Sequence, residues 1–152
     1  MGIVQTEKQM YNLGIFIGER LQESNILLLE GDLGAGKTTL TQGIAKGLGI
    51  SEMITSPTFV LINEYLSGKK KCYHMDLYRV NNIEELYEIG IEDYLGNDNV
   101  CIIEWPDTIR PLLPSDYTTI QIKKIGNERE LHVVEVLGNT NIQEAINEYF
   151  SL

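Results

Sequence analysis

The sequence lacks any long uninterrupted run of apolar residues. No segment approaches the roughly 18 residues that a membrane-spanning helix requires, and the N-terminus does not have the charged and then apolar layout of a signal peptide. Both absences argue against a membrane protein and against a secreted protein. We therefore expect a soluble chain that works in the cytoplasm and has no membrane partner.

Cysteine is scarce as well. Cys72 and Cys101 are the only 2 cysteines among 152 residues, and each lies next to or inside an apolar segment that is typical of a strand. Neither belongs to a C-x-x-C pair. The pattern favours two reduced, buried thiols.

Basic residues are outnumbered: the chain has 12 Lys and Arg against 22 Asp and Glu, for a net charge of −10. A protein that binds the backbone of a nucleic acid usually has a basic face, so tight and direct binding of tRNA or DNA is disfavoured. The imbalance is partly local, because residues 82–107 contain eight acidic side chains and neither Lys nor Arg. This acidic segment predicts either a solvated surface or a docking surface for a basic partner protein.

The chain does contain a regular succession of helix-like and strand-like segments. Its 152 residues and 43% apolar content suffice for one compact core, so we expect a single domain over residues 1–152. Apolar periodicity predicts helices over 6–22, 38–48, 83–94 and 142–150. It predicts strands over 26–30, 59–65, 71–77, 100–103, 118–124 and 131–137.

The turns and the apolar runs indicate how these strands pair. We expect 59–65 and 71–77 to form an antiparallel hairpin at a sheet edge, and the late strands 118–124 and 131–137 to pair with each other. The strands 26–30 and 100–103 are the most apolar, which favours buried and parallel neighbours. The succession predicts an α/β sandwich with a mixed, partly parallel sheet.

Residues 31–38 read Gly-Asp-Leu-Gly-Ala-Gly-Lys-Thr and match the pattern G-x-x-x-x-G-K-[ST] without deviation. Glycines allow backbone N–H groups to curl around phosphate oxygens, and the N-terminal end of the following helix attracts the same negative charge. In such a loop the lysine, here Lys37, reaches the β- and γ-phosphates, and the hydroxyl of Thr38 binds Mg²⁺. The segment predicts a nucleotide phosphate site in a P-loop NTPase-like three-layer sandwich.

Hydrolysis of a nucleotide also needs a carboxylate for the metal and a group that orients the attacking water. Two apolar segments that follow the loop end in a carboxylate, at Asp76 and at Glu104. Because open α/β sheets gather their ligands at the carboxyl ends of the strands, we assign Glu104 to Mg²⁺ and Asp76 to water activation or to an indirect metal contact. Ordinary strand-end carboxylates are the simpler alternative for both.

Three further residues have more than one interpretation. Thr58 lies in a polar turn after the P-loop helix, where switch segments sense the γ-phosphate, but it could equally satisfy its own backbone there. His74 lies on the same side of its strand as Asp76, and a hydrogen-bonded core histidine is favoured over a catalytic one. Trp105 follows Glu104 directly and belongs to the core, to the floor of the site or to a partner surface.

Two absences narrow the class of nucleotide enzyme. No N-K-x-D motif is present, which argues against a GTPase. A small-molecule kinase usually needs a lid rich in arginine, whereas the four arginines of this chain are scattered at positions 20, 79, 110 and 129. An ATP-gated scaffold, which would assemble a complex without turnover, stays open because binding and hydrolysis share most of their residues.

Four ordered sequence blocks resemble the motifs of one family of small bacterial ATPases. They are GDLGAGKTT at 31–39, SPTF at 56–59, HMDLYR at 74–79 and IEWP at 103–106. In this order and spacing the chain is similar to the TsaE (YjeE) family, which supports the synthesis of tRNA threonylcarbamoyladenosine. The resemblance implies ATP and Mg²⁺ as ligands and the TsaD and TsaB proteins as partners, with tRNA reached only through that complex.

The resemblance also implies roles for single residues. The residues implied to contact the nucleotide around the phosphates are Asp32, Leu33, Gly34, Ala35, Gly36, Lys37, Thr38 and Thr39. Thr38 and Glu104 correspond to the metal ligands, Asp76 to a residue tied to hydrolysis and Thr58 to a switch. More loosely matched segments place Glu7 and Arg129 around the nucleotide base. We expect a Mg²⁺-dependent ATPase that is weak alone, is stimulated by its partners and resets a tRNA-modifying complex.

Overall fold

The computed structural model of the chain describes residues 2–21, 26–32, 36–52, 62–96, 99–125, 131–138 and 140–151. Within these ranges the helices are α1 (Glu7–Glu19), α2 (Lys37–Gly47), α3 (Ile83–Glu88) and α4 (Thr140–Ser151). The strands are β1 (Gly2–Val4), β2 (Ile26–Glu30), β3 (Ile62–Tyr65), β4 (Cys72–Asp76), β5 (Val100–Glu104), β6 (Thr118–Ile125) and β7 (Leu131–Leu137). Short 3₁₀ helices cover Ile91–Asp93 and Arg110–Leu112.

The strands form one mixed sheet in the order β1-β7-β6-β2-β5-β4-β3. The central strands β6, β2, β5 and β4 run parallel to one another, whereas β3, β7 and β1 join by antiparallel pairing. Central strands are buried on both faces, which explains why β2 and β5 read as nearly unbroken apolar segments. The mixed sheet, the parallel pair of β2 and β5, the edge hairpin of β3 and β4 and the pairing of β6 with β7 are confirmed.

Helices cover both faces of this sheet. We call one the α2 face; α1, α2 and α4 pack against it through a core that includes Leu13, Leu29, Ile44, Ile102 and Ile146. The other, the α3 face, is covered by α3 and the 3₁₀ helix 91–93 through a core that includes Leu28, Met75, Leu86, Ile91 and Ile103. Burial of apolar surface on two separate faces gives the three-layer α/β sandwich that the sequence predicts.

The helices α1 and α2 touch backbone to backbone. A Cβ atom added to Gly14 would lie 2.8 Å from the Cα of Gly43, and one added to Gly18 would lie 3.0 Å from the Cα of Gly47. A Cβ on Gly43 would in turn lie 2.1 Å from the carbonyl oxygen of Tyr11, where no real Cβ could remain. Because the contacts advance together along both helices, α1 runs parallel to α2. The start of α1 therefore lies at the same end of the molecule as the start of α2.

Several boundaries differ from the prediction. The predicted helix 83–94 ends early, because Ile89 closes α3 and Gly90 adopts a left-handed φ of 72° before the 3₁₀ helix begins. The helix α1 ends at Glu19 rather than at 22. The strand β1 was missed, since three residues are too few for a periodic pattern to stand out. Of the predicted strand 59–65, the part up to 61 lies outside the described residues.

Both cysteines are buried and free, as predicted. Cys72 belongs to the core of the α2 face and Cys101 to the core of the α3 face, so their side chains point to opposite sides of the sheet. Burial raises the pKa of each thiol to about 12. The Cys101 thiol donates a hydrogen bond to the carbonyl oxygen of Tyr94, 2.9 Å away.

No helix in the described part of the chain combines the length and the apolar character needed to cross a membrane.

Candidate active site

The carboxylate-bearing ends of three parallel strands lie side by side at one edge of the sheet. In the strand register Glu104 of β5 is opposite Leu29 of β2 on one side and opposite Asp76 of β4 on the other. The residue after Leu29 is Glu30, which ends β2 and leads into the glycine-rich loop. The register thus brings the predicted residues Glu104 and Asp76 to the edge where this loop begins.

The loop joins β2 to α2, and its two ends are described. Asp32 is exposed at the start, whereas Leu33, Gly34 and Ala35 lie outside the described residues. Gly36 caps α2 with a left-handed φ of 103°, a conformation that glycine adopts without strain. Its carbonyl accepts the hydrogen bond from the Leu40 amide at 2.9 Å, which begins the helix ladder.

Two of the residues predicted to bind the nucleotide or the metal lie in the first turn of α2. Thr38 is exposed and Thr39 is half-buried. A threonine hydroxyl in the first turn of α2 is a ligand type that a hard cation such as Mg²⁺ accepts, and the first-turn N–H groups of the helix point toward the loop. The structure thus leaves the predicted metal ligand Thr38 accessible at the end of the helix that faces the loop.

Lys37 is the buried centre of the site. Its Nζ atom donates a 2.8 Å hydrogen bond to the carbonyl oxygen of Gly31 and lies 3.9 Å from Oε1 of Glu104. The same ammonium lies 4.5 Å from the centroid of the Trp105 ring, a cation–π distance. Only 6% of the residue is exposed. One cation therefore connects the loop to the end of β5.

Glu104 is held from two sides. Its Oε2 atom lies 2.6 Å from Nε2 of His74, a hydrogen-bond distance, and its Oε1 atom faces Lys37. Glu104 is 5% exposed and His74 is fully buried. A buried carboxylate is tolerated here because a hydrogen-bond donor and a cation accompany it. The predicted core histidine is indeed hydrogen-bonded, and its partner is the predicted metal ligand.

Asp76 ends the neighbouring strand and is half-buried. Its Oδ1 atom accepts a 3.1 Å hydrogen bond from the amide of Tyr78, which caps the turn that follows β4. The amide of Leu77 donates to the carbonyl oxygen of Glu104 at 3.1 Å and extends the parallel pairing past the strand end. The Asp76 carboxylate is therefore positioned by the turn that follows it, next to Glu104 in register.

Trp105 adopts a positive φ of 55°, which is costly for a bulky residue and often marks a functional site. Trp105 is half-buried, and the centroid of its ring lies 4.9 Å from that of Tyr78, a residue that is 65% exposed. Of the interpretations left open by the sequence, its contact with Lys37 favours the floor of the site, and its contact with Tyr78 connects the ring to the surface.

A pocket of about 420 Å³ opens between the loop and the segment after β5. Its lining consists of residues 29–32, Lys37, residues 105–107 and Arg110. Arg110 pairs with Glu30, and the amide nitrogen of Gln121 donates to the other oxygen of Glu30 at 3.0 Å. A second pocket of about 420 Å³ lies on the β6 side of the loop, lined by residues 30–32 and 121–124. Each pocket has the volume of an ordinary small-ligand site.

Glu30, Arg110 and Gln121 line the pockets or pair with their lining residues, but their place in the site was not predicted from the sequence. A usable signal existed for Glu30, because β2 is a third apolar segment that ends in a carboxylate. Arg110 gave no such signal, because the four arginines are spread along the chain. Only the fold brings Arg110 next to Glu30. Glu7, by contrast, was predicted to lie near the nucleotide base. It is exposed in the first turn of α1, at the end of the molecule where the loop lies. Thr58 and Arg129 lie outside the described residues.

Comparisons with known proteins agree with the sequence blocks. A family model described as "Threonylcarbamoyl adenosine biosynthesis protein TsaE" matches residues 4–131. The tRNA threonylcarbamoyladenosine biosynthesis protein TsaE of Bacillus subtilis (strain 168) is 43% identical over 115 residues, which cover 76% of this chain and 72% of that protein. The protein of the same name from Nostoc sp. is 50% identical over 115 residues, with coverages of 72% and 68%.

A solved structure extends the similarity to the fold. The crystal structure of YdiB from Bacillus subtilis superposes with a TM-score of 0.76 at 30% sequence identity, over 96% of this chain and 90% of that one. The family model covers most of the chain, and the relatives share its sequence at 43% and 50% identity. The chain belongs to the TsaE family.

Proposed function

We propose that this protein binds ATP and Mg²⁺ at the glycine-rich loop and hydrolyses the ATP in support of tRNA N6-threonylcarbamoyladenosine modification. In this proposal it acts on, or resets, a complex of TsaD and TsaB in the cytoplasm and does not itself modify tRNA. The observation that carries the proposal is the position of Lys37, buried between the Gly31 carbonyl and the Glu104 carboxylate where β2 and β5 end.

Phosphate binding would use groups that are already arranged. The α2 N-terminus directs unpaired N–H groups toward the loop, and Lys37 supplies the positive charge next to it. In the present structure the Lys37 ammonium bonds to Gly31, 2.8 Å away. A β- or γ-phosphate would replace the Gly31 carbonyl as its partner, because a charged acceptor forms a stronger hydrogen bond than a neutral carbonyl.

The residues present fit a magnesium ion. Mg²⁺ in phosphoryl-transfer sites is held by one or two protein oxygens together with phosphate oxygens, and it favours hydroxyl and carboxylate ligands. Thr38 offers an exposed hydroxyl, and Glu104 offers Oε1 on the side that faces Lys37. When bound, the ion would neutralise charge that develops on the phosphates during transfer.

Asp76 is the proposed group that orients the attacking water. The water oxygen would form a bond to the γ-phosphorus while the bond from that phosphorus to the bridging oxygen breaks, and Asp76 would accept the water proton. Its turn fixes the carboxylate through the Tyr78 amide. Thr58 as a γ-phosphate sensor, and Glu7 and Arg129 near the base, remain predictions.

The charge of the chain supports a role through protein partners. A net charge of −10 disfavours a direct grip on tRNA, and Glu84, Glu88 and Glu92 are exposed on α3 and the 3₁₀ helix after it. The related proteins from Bacillus subtilis and Nostoc are named for tRNA threonylcarbamoyladenosine biosynthesis. We propose that TsaD and TsaB are the partners that contact the tRNA.

An ATP-turnover assay with purified TsaD and TsaB tests this function. We expect slow hydrolysis by the protein alone and faster hydrolysis with both partners. Asp76→Ala should bind ATP within about threefold of wild type but lose about 100-fold in turnover, the usual contribution of a positioned base. Glu144→Ala, which removes an exposed carboxylate on α4, is the control and should behave as wild type.

The same variant separates hydrolysis from scaffolding. If Asp76→Ala supports repeated rounds of tRNA modification at the wild-type rate while its turnover is abolished, ATP binding alone suffices and the scaffold function replaces the one proposed here. Turnover of several per second by the unaccompanied protein would contradict the partner-dependent role.

A further inference from the structure

His74 occupies an unusual place for a polar side chain. It lies in the middle of β4, one of the central strands, and is 0% exposed. Its neighbours Tyr73 and Met75 belong to the apolar core of the α3 face, so the imidazole points toward the α2 face, where the candidate site lies. A buried position of this kind is usually occupied by an aliphatic residue.

The strand register brings the imidazole to Glu104. His74 pairs with Ile102 of β5, and Glu104 lies two residues further along the same strand on the same face. The contact is therefore a diagonal one between neighbouring strands, and both backbones are fixed by ladder hydrogen bonds. The 2.6 Å distance from Nε2 to Oε2 follows from this rigid placement rather than from the flexibility of a loop.

The contact with His74 gives the two carboxylate oxygens of Glu104 different partners. Oε2 accepts from His74, while Oε1 lies 3.9 Å from the Lys37 ammonium, on the side of the loop. Without a partner for Oε2, the carboxylate could rotate about its last torsion and exchange its two oxygens, because such torsions are broad. The imidazole removes that freedom and keeps Oε1 directed at the loop.

The remaining ring nitrogen argues against a purely structural role. For the Glu104 carboxylate to accept a hydrogen bond, Nε2 must carry a proton, and Nδ1 has no hydrogen-bond partner in the described part of the chain. A buried polar atom without a partner destabilises the fold, and an apolar side chain of similar size would avoid that cost. Filling the core therefore does not explain this histidine, whereas its hydrogen bond to Glu104 does.

We propose that His74 is a positioning residue that fixes the Glu104 carboxylate for the magnesium–nucleotide complex. The proposal rests on the function proposed above. The imidazole would contact neither the nucleotide nor the metal, and it would act through Glu104. Groups that orient a metal ligand from behind typically change metal affinity or activity by about 10- to 100-fold when they are removed.

The test is the ATP affinity measured by calorimetry in Mg²⁺ and again in EDTA, for wild type, His74→Leu and His74→Gln. His74→Leu should lose about 10-fold or more of the affinity gained from Mg²⁺ and stay within about twofold of wild type in EDTA. His74→Gln should recover most of that loss, because its amide can donate to Oε2. Equal losses in Mg²⁺ and EDTA, or no loss at all, would overturn the positioning role.

His132 provides a matched control. It is the other histidine of the chain, is 9% exposed on β7, and also has a ring nitrogen without a partner among the described residues. His132→Leu removes a buried imidazole from a strand that does not adjoin β4 or β5, so the gain from Mg²⁺ should stay at its wild-type value. A reduced gain in this variant would mean that any buried histidine has the effect, which contradicts the proposal.

A double-mutant cycle tests whether His74 acts through Glu104. In a Glu104→Gln background, His74→Leu should reduce the gain from Mg²⁺ by less than about twofold further, because the group it positions is gone. A full further loss would overturn the coupling. If Mg²⁺ does not raise the ATP affinity of the wild-type protein, the proposed function fails. If Mg²⁺ raises the ATP affinity of wild type and of His74→Leu by the same factor, only the positioning role fails.

Nitrogen NMR of the wild-type protein tests the hydrogen bond without any variant. With only 2 histidines in the chain, the ring signals can be assigned from His132→Leu alone. We expect His74 to carry its proton on Nε2. A proton on Nδ1 alone would overturn the proposal even if the His74 variants do not fold.

Discussion

Along β4 and β5, alternate residues point to the two faces of the sheet, and the two faces differ in what they bury. On the α3 face the side chains are apolar or weakly polar, such as Tyr73, Met75 and Ile103. On the α2 face the same strands begin with Cys72 and Val100 and then present His74, Asp76 and Glu104 toward the strand ends. The same two strands thus contribute apolar core residues to the α3 face and the polar residues of the candidate site to the α2 face.

The helices that cover the two faces differ in a related way. α1 and α2 pack so closely that only glycine fits at the crossing, which fixes the helix that carries Lys37 and Thr38 relative to the sheet. α3 is only six residues long and packs through Leu86 with exposed acidic residues outside. A site that holds a lysine between a loop and a strand end requires a helix in a fixed position, which the close α1–α2 crossing provides. The exposed surface of α3 can instead face solvent or contact a partner.

The largest effect is expected at the α1–α2 crossing. Gly43→Ala places a methyl group 2.1 Å from the Tyr11 carbonyl oxygen, so the two helices must separate. Overpacking of this kind should lower the free energy of unfolding by about 3 kcal/mol, measured by urea denaturation. Gly96→Ala is the control: a Cβ there meets no described atom within 4 Å, and its cost should stay below about 0.5 kcal/mol. Equal costs would mean that the crossing is not tight.

The next effect is expected in ligand binding on the same face. Lys37→Ala removes the buried ammonium between Gly31 and Glu104 and leaves that carboxylate without its cation. ATP affinity, measured by calorimetry, should fall by about 100-fold or more, because a charge-assisted contact to phosphate is lost. Lys46→Ala, at the exposed last turn of the same helix, should bind as wild type. Unchanged affinity in Lys37→Ala would remove the loop from the site.

The smallest effect is expected from the two buried thiols, and it tests whether both faces of the sheet exclude water. Burial is the first cause that raises the pKa of Cys72 on the α2 face and of Cys101 on the α3 face to about 12, from 9.0 in water. Raised pKa values stabilise the fold below pH 9, and that stability is lost as the pH rises from about 9 toward 12, where the unfolded chain releases the protons first.

We expect each thiol to contribute about 1 kcal/mol to the fall in unfolding free energy between pH 8 and pH 10. Cys72→Ala and Cys101→Ala should therefore each flatten the fall by a similar amount, measured by urea titration at each pH. A variant that keeps the full wild-type slope would show that water reaches that face.

The degree to which the site could be predicted follows the kind of interaction involved. The loop at 31–38 is a local pattern, because the predicted phosphate cradle consists of consecutive residues, and its strand and helix lie where the sequence predicts them. Glu104 and Asp76 were found because both follow apolar segments, and the register places them opposite each other. The pairing of Arg110 with Glu30 could not be predicted, since 80 residues of chain separate the two partners and only the fold brings them together.

Sequence alone is enough to predict the loop, the order of the elements, the two-sided burial of β2 and β5 and the family, because each depends on neighbouring residues or on their periodicity. The folded chain is needed to show which oxygen of Glu104 faces Lys37, that His74 contacts the other oxygen, and that α3 ends early before Gly90. These depend on strand register and on distances between segments remote in the chain, and residue spacing carries no information about either until the sheet has formed.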